Sequence, residues 1–233
     1  MRKYYRIADL AVEMNTYGRT ARQAEAYVCQ QPQEIDVKVS SFRELYMKRY
    51  SGLSEEECEY LGTAKSFYQQ LVNYGGLMLH SSAVVVDGRA YLFAADSGTG
   101  KSTHTKLWLQ RFGDRAFILN DDKPALRFED GTWYAYGTPW SGKYDISVNT
   151  RAPLAGIAML ERGEQNRIKP FLGRDAVLAI YKQSNRMTET AEFRMKLLGL
   201  LDLLIKNVPI WELTCNMDME AAQIAYEAMS KES

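Results

Sequence analysis

The sequence predicts an α/β fold: a mixed sheet built from strands concentrated in the middle of the chain, flanking helices, and an N-terminal α+β extension. Three observations carry this. Apolar, valine-rich runs at 82–86 and 90–95 are separated by Asp87-Gly88, the dipeptide that best fills the positive φ angles of a two-residue hairpin turn. The second of these runs enters a loop with two glycines and continues as a helical pattern from residue 102. Between residues 188 and 206, Phe193, Leu197, Leu200, Leu201 and Leu204 fall on one helical face.

In chain order, residues 4–12 and 35–39 read as strands and 19–28 as a helix. A longer helix starts at Ser54, whose side chain and that of Glu57 can satisfy each other's free backbone N–H groups. It should run to about Asn73, where Tyr74-Gly75-Gly76 supplies the stop. The pattern changes there, which divides the chain into an N-terminal region, 1–75, with a possible recognition role, and a main region, 76–233. After the first hairpin, strands are expected at 116–119, 125–128, 133–136, 154–160 and 208–213, with Asp130-Gly131 as a second hairpin turn. Helices are expected at 102–112, around 175–182, from 188 to 206, and at 219–229 with Asp218 as N-cap.

Charge excludes several classes of function. Lys+Arg and Asp+Glu both number 29, and they balance on each side of residue 80, so the basic face of a nucleic-acid binder is missing. Cys29, Cys58 and Cys215 are odd in number and far apart, which excludes a disulfide framework and any CxxC spacing. No apolar run approaches the ~18 residues of a membrane span. A cytoplasmic protein with neither nucleic-acid nor membrane partner is expected; oligomeric state is not encoded in any pattern.

The most informative segment is Ala95-Asp96-Ser97-Gly98-Thr99-Gly100-Lys101-Ser102-Thr103. Here a strand runs into a turn whose glycines let consecutive N–H groups point at phosphate oxygens, and a helix N-terminus follows. In such a P-loop Lys101 reaches the β- and γ-phosphates and Ser102 ligates Mg²⁺. Ala95 stands where the GxxxxGK[ST] pattern has its first glycine, a costless change if its φ is negative. The plain alternative is a glycine-rich turn capped by Ser102.

Downstream, an apolar strand delivers Asp121 and Asp122 at its C-terminal end. In phosphoryl-transfer sites a carboxylate there meets the metal or the attacking hydroxyl, and a base and a metal ligand can share the spot. The plain alternative is a polar turn. The Asp130-Gly131 hairpin brings Lys123 opposite Thr138, so the Gly137–Lys143 stretch should border the same place. The first hairpin pairs Val84 with Tyr91, Ser82 with Phe93 and His80 with Ala95, which sets His80 beside the start of the loop. His104 reads as a surface residue of the first helical turn.

Taken together, a histidine opening a hairpin, the run Ser97-Gly98-Thr99-Gly100-Lys101-Ser102, and the Asp pair resemble the HPr kinase/phosphorylase and ATP-dependent phosphoenolpyruvate carboxykinase superfamily over roughly residues 78–160. The resemblance implies an HPr kinase-like P-loop sheet and a Mg²⁺- and ATP-dependent kinase whose acceptor is a hydroxyl of a protein, peptide or small molecule. By analogy His80 and Lys101 contact the transferring phosphate, Ser102 binds the metal, Asp121 accepts the proton, and Asp122 assists as metal ligand or orienting group. Arg151 would be the arginine that this superfamily uses later in its chain, and Asp145 a further acidic ligand. Carboxykinase activity is not expected, because those enzymes are more than twice this length. The competing function is an ATP-binding switch or partner module without useful phosphotransfer.

Overall fold

The computed structural model describes residues 3–184 and 190–231. It opens with an antiparallel hairpin, β1 (Lys3–Ile7) and β2 (Leu10–Met14), where a single strand was expected. Ala8 and Asp9 make the turn, at φ 51° and 58°. Helix α1 (Gly18–Gln23) is shorter than expected and continues as a 3₁₀ turn, Glu25–Tyr27. Strand β3 (Val37–Val39) adds parallel to β2, and α2 (Arg43–Arg49) is a helix that the sequence reading did not contain. Helix α3 (Glu55–Leu71) starts with the expected reciprocal Ser54/Glu57 cap and ends before Gly75, which takes φ 69°.

The second sheet begins with a short strand absent from the reading, β4 (Gly76–Met78), followed by β5 (Ser81–Val86) and β6 (Arg89–Ala94). Asp87 and Gly88 at φ 50° and 78° set the expected register, Val84 opposite Tyr91 and Ser82 opposite Phe93. Next come α4 (Lys101–Phe112), β7 (Ala116–Asn120), β8 (Ala125–Glu129), β9 (Thr132–Tyr136), β10 (Arg151–Arg162) and β11 (Arg167–Pro170), the last also unforeseen. The chain finishes with α5 (Gly173–Ser184), α6 (Ala191–Asn207), β12 (Ile210–Cys215) and α7 (Met219–Met229). Helix α6 is N-capped by Thr190; the expected start at residue 188 lies outside the described residues. Asp218 occupies the N-cap of α7, but its carboxylate accepts from Asn216 and makes no cap bond.

Strand order is β4-β8-β9-β10-β6-β5-β7, with β12 joined to β10 and β11 to β12. The sheet is mixed because β10 is long. Its first residues run antiparallel to β9 and the rest run parallel to β6 and β12. Strands β5 and β6 are buried at every position but Arg89 because both faces are covered, and from Ala83 to Val86 and Ala90 to Ala94 their residues are apolar or aromatic. Ala83, Val85 and Leu92 meet Ile180, Leu197, Leu201 and Leu204 of α5 and α6, whereas Val84, Tyr91 and Phe93 meet Trp108 of α4 and Ala225 of α7. Each large buried side chain contributes about 1.5–3 kcal/mol relative to exposure, so the central hairpin is firmly held. A third cluster crosses residue 75: Tyr5, Phe67, Tyr68 and Leu71 pack with Met78, Tyr136 and Trp140.

Candidate active site

Strand order alone brings three segments together. Strand β5 lies between β6 and β7 and is antiparallel to both, so it starts at the edge where its neighbours finish. His80 just before β5, the loop after β6, and the aspartates after β7 therefore meet, with a cavity of about 390 Å³ between them. His80, Lys101, Ser102, Asp121 and Asp122 all line it.

The loop owes its shape to glycine at two positions. Gly98 and Gly100 take φ 82° and 122°, and a Cβ at either would meet nothing within 4 Å, so both look onto open space. Ala95 is absent from the positive-φ residues, and its replacement of glycine carries no backbone strain. Lys101 Nζ donates back to Ala95 O at 3.1 Å. Arg162, at the end of β10, donates to Gly98 O at 2.6 Å and Thr99 O at 2.8 Å, which ties the loop to the sheet.

Asn120 shapes the acidic corner. Its side-chain oxygen accepts from the N–H groups of Asp122 and Lys123 at 3.0 and 2.8 Å, an Asx turn that displays both carboxylates. Turn and carboxylate display are one structure here, so the polar-turn reading and the site reading do not compete. Asp121 accepts from Ser82 Oγ at 2.7 Å and also bonds the Ser102 side chain. Burial pushes its pKa up from the usual value, against the opposing pull of those two hydroxyls. Asp122 pairs with His80 Nε2 at 3.2 Å and with the Lys123 ammonium. Burial would raise the Asp122 carboxyl, but the His80 hydrogen bond and the Lys123 charge outweigh it and hold the group well below its usual value. The resemblance implied the base at Asp121, with Asp122 as metal ligand or orienting group; Asp121 lies beside Ser102 and Asp122 beside His80.

His80 is held from its other side. Its Nδ1 lies 3.1 Å from Gln183 Oε1 and its N–H donates to Gln183 O, while Gln183 Nε2 donates to Asp96 Oδ1 at 3.3 Å. Helix α5 thus ties the histidine to the loop. The 137–143 stretch borders the cavity as expected, through Gly142 and Lys143, joined by Tyr144. A Cβ on Gly142 would stand 2.8 Å from Asp122 Cβ. The wall is fastened by the N-terminal helices: Tyr60 OH accepts from Gly142 N at 3.0 Å, and Gln23 Nε2 and Arg19 donate to Gly142 O.

Three expectations are corrected. Arg151 is not at the cleft: it begins β10 at the opposite end from Arg162, bonded to Glu129 at 2.5 Å, the Tyr136 hydroxyl at 2.9 Å and Asp9 at 3.2 Å. Arg162 is the arginine at the cavity, missed because its place depends on the parallel pairing of β10 with β6, which sequence spacing does not reveal. Asp145 accepts from Ser141 and does not line the cavity. His104 is buried, not exposed, because α4 turns this face toward β12. Its Nε2 accepts from Trp108 Nε1 at 3.0 Å, and burial lowers its pKa to about 3.

A pH effect follows. An unfolded histidine takes up its proton near pH 6.5, and this one resists until about 3, so the unfolded state binds more protons between those values. The His104 contribution is complete above pH 6.5 and declines as pH falls toward 3. His104→Gln, which keeps an acceptor for Trp108, is expected to give urea midpoints that fall less steeply between pH 6.5 and 4 than those of the wild type. Equal slopes would remove His104 from the acid response.

A cofactor can be tested against this donor set. Ser102 hydroxyl and Asp121 carboxylate are hard oxygen ligands, the kind Mg²⁺ accepts alongside phosphate oxygens and water. Among the described residues no cluster of three His, Cys, Asp or Glu could hold a metal alone, so these residues suit a metal brought with a phosphate ligand. No helix among the described residues is long and apolar enough to cross a membrane.

Comparison with known proteins adds a family and a distant likeness. The family model described as "ScmC: SynChlorMet cassette protein ScmC" matches residues 56–221, more than two thirds of the chain. No curated protein matches. Among solved structures, the Hpr(Ser) kinase/phosphatase from Coxiella burnetii is similar over 66% of this chain and 92% of that one, at 14% identity and a TM-score of 0.36.

Proposed function

The chain belongs to the SynChlorMet cassette protein ScmC family, and we propose that it is a Mg·ATP-dependent kinase that transfers the γ-phosphate to a hydroxyl on a peptide, protein or small molecule. One observation carries the reading: Lys101, Ser102, the two aspartates and His80 line a single cavity at the mouth of a glycine loop. On this reading the loop is a P-loop within residues 76–233, the nucleotide-binding part of the chain, with residues 1–75 supporting one wall.

Each residue then has a task. The loop amides and Lys101 bind the β- and γ-phosphates and orient the γ-phosphorus toward the acidic corner. Ser102 and Asp121 would hold Mg²⁺, which when bound neutralises charge on the β- and γ-oxygens. The acceptor oxygen attacks the γ-phosphorus, the bond to the β–γ bridging oxygen breaks, ADP leaves, and the hydroxyl proton passes to Asp122. Lys101 supplies a donor to the charge in transit, and His80 holds the Asp122 carboxylate in place. Arg162 keeps the loop rigid.

Lys101→Ala removes a charged donor worth about 1.5–3 kcal/mol, so ATP affinity by calorimetry should fall at least about tenfold. Equal affinity in both proteins would overturn the nucleotide assignment. Transfer itself is tested by incubating the protein with Mg²⁺ and γ-labelled ATP against a panel of hydroxyl-bearing peptides and small molecules. Tight ATP binding with no labelled product from any acceptor class would favour the binding-switch reading.

A further inference from the structure

We propose that the apolar cavity on the far side of the loop takes the base of the bound nucleotide, and that it takes the base without reading its hydrogen-bonding edge. This rests on the nucleotide reading above. The cavity, about 310 Å³, opens between the first turns of α4, the end of β10 and the connection from β12 to α7. Leu107, Leu160 and Met217 form its walls, and His104 and Cys215 its floor. It shares Gly100 and Thr103 with the cavity that holds the acidic corner, so one ligand can occupy both.

Direction follows from the helix. The first backbone bond of α4 is His104 N to Gly100 O, at 2.9 Å, so the amides of Ser102 and Thr103 precede the helical ladder. They lead from the acidic corner, where the transferable phosphate must sit, toward the Thr103 edge of this cavity. A second flanking cavity, about 570 Å³, is bordered by Asp96, Glu161 and Glu212. Two of those carboxylates are ion-paired, Asp96 with Lys182 and Glu212 with Lys169, so this cleft is walled by charged pairs, whereas the apolar cavity has no Asp or Glu in its lining. A flat apolar ring tethered to a triphosphate therefore belongs here.

The lack of edge reading follows from the partners of the polar groups in its lining. Both His104 nitrogens are engaged, Nε2 by the Trp108 indole and Nδ1 facing Cys215 Sγ at 3.8 Å. Asn216 donates to Glu164 O and Asp218 Oδ2 and accepts from Asp218 N. Arg162 is committed to the loop carbonyls. The side chains of His104 and Asn216, on α4 and beyond β12, are thus already partnered, and the Thr99 and Thr103 hydroxyls belong to the loop end where the phosphates enter, so recognition of the base falls to apolar burial.

Calorimetry with Mg·ATP, Mg·GTP and Mg·tripolyphosphate tests this. In the wild type, ATP and GTP should bind within about threefold of each other and each about tenfold or more tighter than tripolyphosphate. Leu107→Trp, which fills the cavity, should bring both nucleotides to the tripolyphosphate level and leave tripolyphosphate unchanged. Should that variant fail to fold, Met217→Ala decides, because Met217 is 74% exposed and its truncation spares the core. It should weaken both nucleotides severalfold and tripolyphosphate not at all. Nucleotide affinities untouched by the substitution that folds, or a preference above about tenfold for one purine, would overturn the inference. Tripolyphosphate binding as tight as ATP overturns the base site alone. Binding of none of the three overturns the nucleotide reading with it.

Discussion

Replacing Asp122 with asparagine is expected to lower phosphotransfer turnover by about 10²–10⁴-fold, the range for losing a positioned base, with little change in ATP affinity. Asparagine keeps the shape of the corner but cannot accept the hydroxyl proton. The His80 and Lys123 contacts hold Asp122 ionised, so the proton-accepting form is present across the neutral range. Asp121→Asn should behave differently: its place beside Ser102 predicts a higher Mg²⁺ requirement that added metal partly restores. If Asp121→Asn abolishes turnover at every Mg²⁺ concentration while Asp122→Asn is nearly normal, the roles are those implied by the family resemblance, not those the contacts favour.

The second large effect concerns His80. His80→Ala should reduce turnover about ten- to a thousandfold, in the range for losing one preorganised electrostatic donor. The ring faces Asp122 through Nε2 and Gln183 through Nδ1, so its loss removes a donor and also releases Asp122 toward Lys123 alone. Thermal stability should change less than turnover, because the histidine sits ahead of β5 and outside the apolar clusters. Full activity in the variant would reduce His80 to a structural ligand of Asp122.

What could be seen in advance depended on whether local chemistry or distant packing decides a feature. Asp87-Gly88 and Asp130-Gly131 both take the positive φ angles their residue types favour, and the pairing of both hairpins followed from counting. That count also brought Lys123 to Thr138, whose hydroxyl donates to Lys123 O at 2.8 Å. The β1–β2 hairpin was hidden because its turn is Ala8-Asp9, and alanine at φ 51° carries no turn preference. Strand β11 and helix α2 were missed for lack of a clear period: the helix buries no residue, and the strand is mostly exposed. Within the site, the loop and the Asp pair are local features and legible. The burial of His104, the partnering of Asp122 with Lys123 and the arrival of Arg162 depend on long-range packing. A single polar residue within an amphipathic helix gives no notice of what will cover it.

The fastening of Gly142 by Arg19, Gln23 and Tyr60 bears on the order of folding. These bonds join residues 123, 119 and 82 positions apart, so one wall of the acidic corner is closed only when the first-made helices meet a segment made much later. Each doubling of such a loop adds only about 0.6 kcal/mol of closure entropy, but the contact must wait for the intervening chain to collapse. A nascent chain ending before residue 142 can form the β1–β2 and β5–β6 hairpins, yet nothing then holds that wall against Asp122. On the proposed function, phosphotransfer thus waits on this long-range closure and does not come with the formation of the loop alone.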